Sequence, residues 1–487
     1  MNSTWLVIAI VIGYMAIIAG ISYLARRSSR TSESFANGGK AFPALLIGFL
    51  LASEFIGTSA SIGTAQTAYS VGISAAWNIV ALGLGFILFS FLLAKRFNAL
   101  GELTISGALA RTYGERVRTA TSVIMVCALM IVAVAVYASG GSILSNLLKI
   151  NESLAIAIVG VLATFYVVIG GMRSVVYTNF LHAIVKLSGI ILLAVIGTHR
   201  VGGLGELRAA LPADMFTIDG VGWSQIFAWL IAGIGAIFAT QYVVQAITTV
   251  DEPIKAKQAG FYSTLVLIPY GIFASVVGMC SAVLYPQIDS IGALPALAVD
   301  IHPALGGFVV AGLAGAMFGT IAALTLGSST LLLKDFYQPY FNRGQEERKN
   351  LRFIRAATVV TGIIPISLAL VASDVLTVTF LAKSLRASLA VLVLLMFFRP
   401  SFGTRTGALL SIIASLFTTI GWFLAGDPFG VDNAYVAVAT PIVIMTICHV
   451  FKRGDGSNDP VTPEPRPEEK APATPQSAPA RASRETA

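Results

Sequence analysis

Charge is what this sequence is short of. Only 11% of its 487 residues are Asp, Glu, Lys or Arg, against 56% apolar, a balance that no soluble globular domain shows. The charges present gather in short segments between apolar runs. Those runs have the length that crosses a bilayer core, about 17–25 residues, so one very large buried helical core is excluded. Cysteine is scarce too. Cys127, Cys280 and Cys448 all lie inside apolar runs with no pairing or metal-ligand spacing, which excludes a disulfide framework and leaves them as small hydrophobes. The four histidines are scattered. No HExxH, GxxxxGK(S/T), GxGxxG or GxSxG pattern occurs, so no catalytic constellation is visible and the chain reads as a non-enzyme. The net charge of +8 does not signal nucleic acid, because the basic residues sit in the connecting segments, where they encode membrane topology.

What is present is a series of spans. Thirteen are predicted, at 5–24, 42–66, 74–94, 121–140, 152–171, 180–198, 223–244, 263–285, 306–333, 356–373, 376–398, 406–425 and 434–451. The first is not a cleaved signal: it has no basic n-region and Arg26, Arg27 and Arg30 follow it. Segments 67–73, 286–305, 374–375 and 426–433 carry no Lys or Arg, whereas Lys95, Arg96, Arg116, Arg173, Lys255, Lys334 and Arg399 mark the opposite side. Lys149, Arg200 and Arg208 are exceptions. The asymmetry predicts a multi-pass protein of the cell (inner) membrane with the N-terminus outside and the C-terminus cytoplasmic. A transmembrane domain of 1–454 is expected, then a proline-rich, mixed-charge tail over 455–487 that reads as disordered.

Three spans change character partway. The second runs from AFPALLIGFLL into ASEFIGTSASIGTAQ (52–66), which holds Glu54, Gly57 and Gly63 among hydroxyl-bearing residues that include Ser53, Thr58 and Ser59. Backbone that leaves the helix at membrane depth is tolerated only where it lines a cavity or is buried in protein, and in transporters such breaks coordinate ions and solute. Close helix packing is the plainer reading of small residues, but it leaves Glu54 unexplained, since a carboxylate at that depth costs roughly 2.5–3.5 kcal/mol. The seventh span, AWLIAGIGAIFATQYVVQ (228–245), has Gly233 and Gly235 in its middle, then Thr240, Gln241 and Gln245. Two interrupted spans five apart predict an inverted repeat of five helices each, about 42–198 and 223–398. In the ninth span most Ser and Thr are expected to bond their own backbone, Gly315-xxx-Gly319 to be a packing motif, and Lys334-Asp335 with its aromatics to lie at the inner interface. In span 11, Lys383 and Arg386 share one helical face roughly 10–15 Å deep. They are expected either to receive a solute carboxylate or to pair with an acid such as Glu54. His182 and Lys186 are expected to snorkel to the inner interface.

FANGGKAFPALLIGFLLASEFIGTSA (35–60), YVVIGGMRSVVYTNFLH (166–182), TQYVVQAITTVDEPIKAKQ (240–258) and AALTLGSSTLLLKDFY (322–337) together resemble the sodium:solute symporter family. The resemblance implies an all-α, leucine-transporter-like fold with sodium as coupling ion. It implies sodium ligands at the carbonyls of Ser53, Ile56 and Ala316 and the hydroxyl of Thr320. The sequence departs from the family pattern where Gly319 stands for a hydroxyl residue and Asn179 for an acid. The solute would sit between the breaks of spans 2 and 7, with Glu54, Thr58, Ser59, Gly233, Gly235, Gln241, Lys383 and Arg386 binding or gating it. The expected activity is sodium-coupled symport of a small organic solute, an amino acid or short carboxylate. A proton-coupled symporter is the alternative, motivated by Gly319 and Glu54. From another class, a channel or a nutrient sensor is the further alternative, the sensor being disfavoured because only about 30 residues that read as disordered follow the last span. The partners expected are the solute and the lipid bilayer.

Overall fold

The computed structural model describes residues 3–26, 30–39, 42–148, 150–300, 303–370 and 375–451; the tail read as disordered lies outside them. Among the described residues there are α-helices and short 3-10 and π turns but no strand, apart from one isolated bridge. In chain order the helices are α1 (Ser3–Ala25), α2 (Ser32–Asn37), α3 (Ala44–Phe55), α4 (Thr58–Val71), α5 (Trp77–Leu92), α6 (Ala94–Leu100), α7 (Ile105–Tyr113), α8 (Glu115–Leu148), α9 (Glu152–Val201), α10 (Leu204–Ala210), α11 (Trp223–Ala239), α12 (Gln241–Ile247), α13 (Pro253–Leu284), α14 (Ala293–Asp300), α15 (Pro303–Leu331), α16 (Glu347–Ala369), α17 (Val375–Phe398), α18 (Arg405–Leu424) and α19 (Asn433–Val450). A π-helical segment, Leu332–Phe341, continues α15.

Polar caps end many of the apolar runs. Thr31 closes a capping box with Ser34, Asn151 accepts from the Ser153 and Leu154 amides, and Thr104 and Thr404 accept from Gly107 and Gly407, each satisfying amides that a helix start leaves open. Among the described residues ten helices are long and apolar enough to cross a membrane, eleven if α11 and α12 form one span bent by 48°. Their outer faces carry Trp5, Ile12, Leu24, Phe417 and Leu424 fully to the surroundings, as lipid-facing helices do.

α13 packs between α3, α4, α5 and α9; α15 packs on α9, α1 and α8; and α17 joins α11 to α8. Close approach explains several glycines. A Cβ at Gly278 of α13 would lie 2.2 Å from the Ala65 carbonyl oxygen of α4, so Gly278→Val forces two backbones apart. We expect it to lower the thermal midpoint and to cost about 3 kcal/mol or more, measured by unfolding of the purified protein in detergent. α9 bends at Gly171, whose φ of 58° and ψ of −159° lie outside the helical region and favour a residue without Cβ.

Two expectations change here. Asp335 is not at an exposed interface beside Lys334; it is buried and accepts hydrogen bonds from Ser106, Ser122 and Thr104, which ties the π-helical segment to α7 and α8. Arg200, an exception to the charge asymmetry, pairs with Asp300, whose carboxyl also accepts from Tyr285 at 2.7 Å; these two partners hold that carboxyl below its ordinary range.

Candidate functional site

Two helix breaks lie at the centre of the molecule. The first separates α3 from α4, where Ile56 (φ −91°, ψ 64°) and Gly57 (φ −75°, ψ 172°) leave the helix. The second separates α11 from α12 at Thr240 (φ −75°, ψ 132°). The two interrupted helices meet end to end: the Phe42 amide, just before α3, bonds the Thr249 carbonyl just after α12. The start of one broken helix thus lies against the end of the other, through one isolated bridge.

Around the first break the expected sodium ligands are brought together. Ser53 and Ile56 are fully buried, and Thr320 of α15 donates its hydroxyl to the Glu54 carbonyl at 3.1 Å. Ala316 lies one turn before Thr320 and is fully buried. The cation on these oxygens, however, belongs to the protein. Lys186 Nζ donates to the Ser53 carbonyl at 2.7 Å, to Ser53 Oγ at 2.9 Å and to the Ile56 carbonyl at 3.0 Å. The expectation that Lys186 and His182 snorkel to an interface is therefore corrected: both are buried, with His182 Nδ1 paired to the Tyr14 hydroxyl of α1. A lysine snorkels when water is within reach of its stem; here backbone carbonyls freed by a helix break are nearer.

The two departures from the family pattern belong to the same arrangement. Asn179, His182 and Lys186 occupy positions i, i+3 and i+7 of α9 and so share a face. Gly319, Gly315 and Gly312 of α15 lie against them in turn: a Cβ at Gly319 would be 2.3 Å from Asn179 Oδ1, one at Gly315 2.5 Å from His182 Nδ1, and one at Gly312 3.8 Å from Lys186 Cα. A hydroxyl residue at 319 has no room beside Asn179. Gly315-xxx-Gly319 is the packing motif expected, with polar side chains as its partner surface. Asn179 accepts from Ser53 Oγ at 2.7 Å and donates to the Val175 and Gly319 carbonyls. A sodium ion does not fit beside this ammonium. Two unit charges 4 Å apart repel by about 4 kcal/mol at an effective dielectric constant of 20, and both would compete for the Ser53 and Ile56 carbonyls.

Glu54 is buried in the last turn of α3, and its Oε2 has no hydrogen-bond partner among the described residues. It does not pair with Lys383 or Arg386. Lys383 Nζ donates to Asn78 Oδ1 at 3.0 Å and lies 4.3 Å above the Phe380 ring, which stacks on Trp229. Asn78 in turn donates to Thr64 of α4. Arg386 donates to Thr240 Oγ1 at 3.1 Å, at the second break, and to the Ala382 carbonyl at 2.9 Å. Both cations are buried, and among the described residues neither has a carboxylate partner. Arg386 thereby joins the second break to α17, and Lys383 joins α17 to α5 and, through Asn78, to the middle of α4.

The remaining expected residues divide. Thr58 opens α4 and shares a hydrogen bond with Ser139 of α8 at 2.7 Å. Ser59 follows it, but its side chain lies outside the described residues. Gly233 and Gly235 are packing positions: a Cβ there would meet Ala81 at 3.1 Å and Ala387 at 2.5 Å. Gln241 spends its carboxamide on the segment before α7, donating to Leu103 and Gln245 and accepting from the Ile105 amide. These bonds brace α12 against the start of α7.

A family model described as the sodium:solute symporter family matches residues 35–415. Among solved structures, that of a substrate-bound, outward-open Na+-coupled sialic acid symporter superposes with a TM-score of 0.79 at 18% identity, covering 92% of this chain and 98% of that one. Mhp1, a nucleobase-cation-symport-1 family transporter, superposes in a closed conformation with bromovinylhydantoin bound at a TM-score of 0.55 and 14% identity, covering 85% and 92%. Its inward-facing form gives 0.53 at 15% identity, covering 85% and 91%. At these identities the likeness is one of fold.

Proposed function

Because the chain belongs to the sodium:solute symporter family, we propose that it is a secondary active symporter that carries a small organic solute bearing a carboxylate, an amino acid or short organic acid, by alternating access. In this reading thirteen spans, with α3 and α4 counted as one and α9 as two about Gly171, include a leucine-transporter-like inverted repeat over about 42–198 and 223–398. The N-terminus lies outside and the C-terminus in the cytoplasm of a cell membrane. The head-to-tail meeting of the two broken helices at Phe42 and Thr249 supports the repeat.

One observation carries the substrate class: Arg386 at the second break and Lys383 one turn before it on α17 are buried with no carboxylate among the described residues paired to them. Buried charge is retained where it meets a partner, and a solute carboxylate supplies one. Family membership supports sodium as the driving ion. One sodium entering down a 100 mV potential releases about 2.3 kcal/mol, and a tenfold gradient about 1.4 kcal/mol more, enough for several-hundred-fold accumulation of a net-neutral solute such as a zwitterionic amino acid; with a monovalent anion the potential contributions cancel and one sodium supports about tenfold. A second reading, proton-driven symport, is favoured by a specific observation: two of the oxygens expected to hold sodium, the Ser53 and Ile56 carbonyls, hold Lys186 instead.

Proteoliposomes loaded against a panel of labelled amino acids and short carboxylates test this, with a sodium gradient and a pH gradient imposed separately. Accumulation above equilibrium that collapses when the driving gradient is dissipated is expected. Equilibration under either gradient without accumulation contradicts symport and leaves a channel.

A further inference from the structure

We propose that Lys186 is a built-in cation: its ammonium replaces sodium at the break between α3 and α4, and the protein binds no sodium ion there. The inference concerns occupancy of one position and does not depend on which solute is carried.

Hydrogen-bond accounting carries it. Ser53 Oγ donates its only hydrogen to Asn179 Oδ1, because the Asn179 amide nitrogen is spent as donor on the Val175 and Gly319 carbonyls. Ser53 Oγ therefore accepts from Lys186, and the other two partners of Nζ are carbonyl oxygens, which can only accept. Three acceptors and no donor match an ammonium, which has three N–H groups and no lone pair. They also match what a bare monovalent cation takes from a helix break: neutral oxygens, two of them backbone carbonyls freed by the loss of helical hydrogen bonds.

The surroundings agree. The other titratable groups about Lys186 are Glu54 of α3, His182 one turn back on α9 with Tyr14 of α1 behind it, and Tyr270 of α13 across a small cavity. That cavity, lined by Gly189, Leu193, Val309, Gly312 and Tyr270 as well as Lys186, has room for about one water. Gly319 with Asn179 replaces a hydroxyl and an acid with a neutral pair, a smaller set of oxygens than a free ion would need. A tethered cation also changes the transport cycle. The break keeps its cation without drawing on sodium from either side, so opening or closing it requires the lysine to move rather than an ion to leave.

The test uses the full-length protein in detergent. Its thermal midpoint is followed as sodium replaces N-methyl-D-glucamine at constant ionic strength, for wild type, Thr320→Ala, Lys186→Ala and Lys186→Arg. Wild type is expected to show no sodium response that Thr320→Ala removes. Lys186→Ala should melt several degrees lower, and sodium or methylammonium should raise it saturably; Lys186→Arg, which keeps the charge, should melt between the two and stay blind to sodium. Saturable stabilisation of wild type by sodium that Thr320→Ala abolishes overturns the proposal, and this arm holds even where Lys186→Ala fails to fold. Lys186→Ala that loses stability and regains none with either cation marks a merely structural lysine and overturns it as well.

Discussion

Arg386→Gln is expected to lower uptake of a carboxylate solute, at concentrations below saturation, by about 100-fold or more. Removing one partner of a buried charge pair costs about 2–5 kcal/mol, and 100-fold corresponds to about 2.7 kcal/mol. Among the described residues Arg386 bonds the neutral oxygens of Thr240, Tyr242 and Ala382, so its charge contributes when a carboxylate arrives. The same substitution should leave the thermal midpoint unchanged or raised, because a buried charge without a counter-charge is a cost to the fold. Lost uptake with retained stability separates a solute-binding role from a structural one. Lys383→Gln should act in the same direction with a smaller effect, since Asn78 and the Phe380 ring already share its charge. Radiolabel uptake in proteoliposomes, paired with melting curves, reads both. Wild-type uptake by Arg386→Gln removes the assignment of a carboxylate solute.

Asp335→Ala is expected to do the opposite, costing stability first. Its carboxylate is the common acceptor for Ser106, Ser122 and Thr104, and it holds the π-helical segment to α7 and α8. Losing a charged acceptor that serves several buried donors costs on the order of 3 kcal/mol, so the variant should melt well below wild type and transport poorly. Asp335→Asn keeps an acceptor and the side-chain shape and should recover part of the loss. Equal melting of wild type and both variants contradicts the bracing role.

These effects were unevenly legible in the residues. The alternation of apolar runs with basic connectors located the helices, because the bilayer length and the cost of buried charge act on every span alike. The break at Ile56–Gly57 showed in the clustering of glycine and hydroxyls, and the second at Thr240 in the glutamines that follow it. What escaped was tertiary. Gly233 and Gly235 look like a hinge, but the faces that they thin belong to Ala81 and Ala387 of other helices. Gln241 looks like a solute ligand until Leu103 and Ile105 are brought to it. Lys186 was assigned by depth along its own helix, which says nothing about a carbonyl that a different helix exposes. The signal was there in part: Asn179, His182 and Lys186 form a polar stripe on one face, and Gly312, Gly315 and Gly319 form a small-residue stripe with the same spacing. Matching the two periods would have paired α9 with α15.

The most direct measurement is a high-resolution cryo-EM map of the full-length protein in lipid nanodiscs with saturating sodium chloride. The account predicts continuous density from the Lys186 stem to the carbonyls of Ser53 and Ile56, with no separate ion beside Thr320. A displaced lysine and a discrete ion among the oxygens of Ser53, Ile56, Ala316 and Thr320 would contradict it.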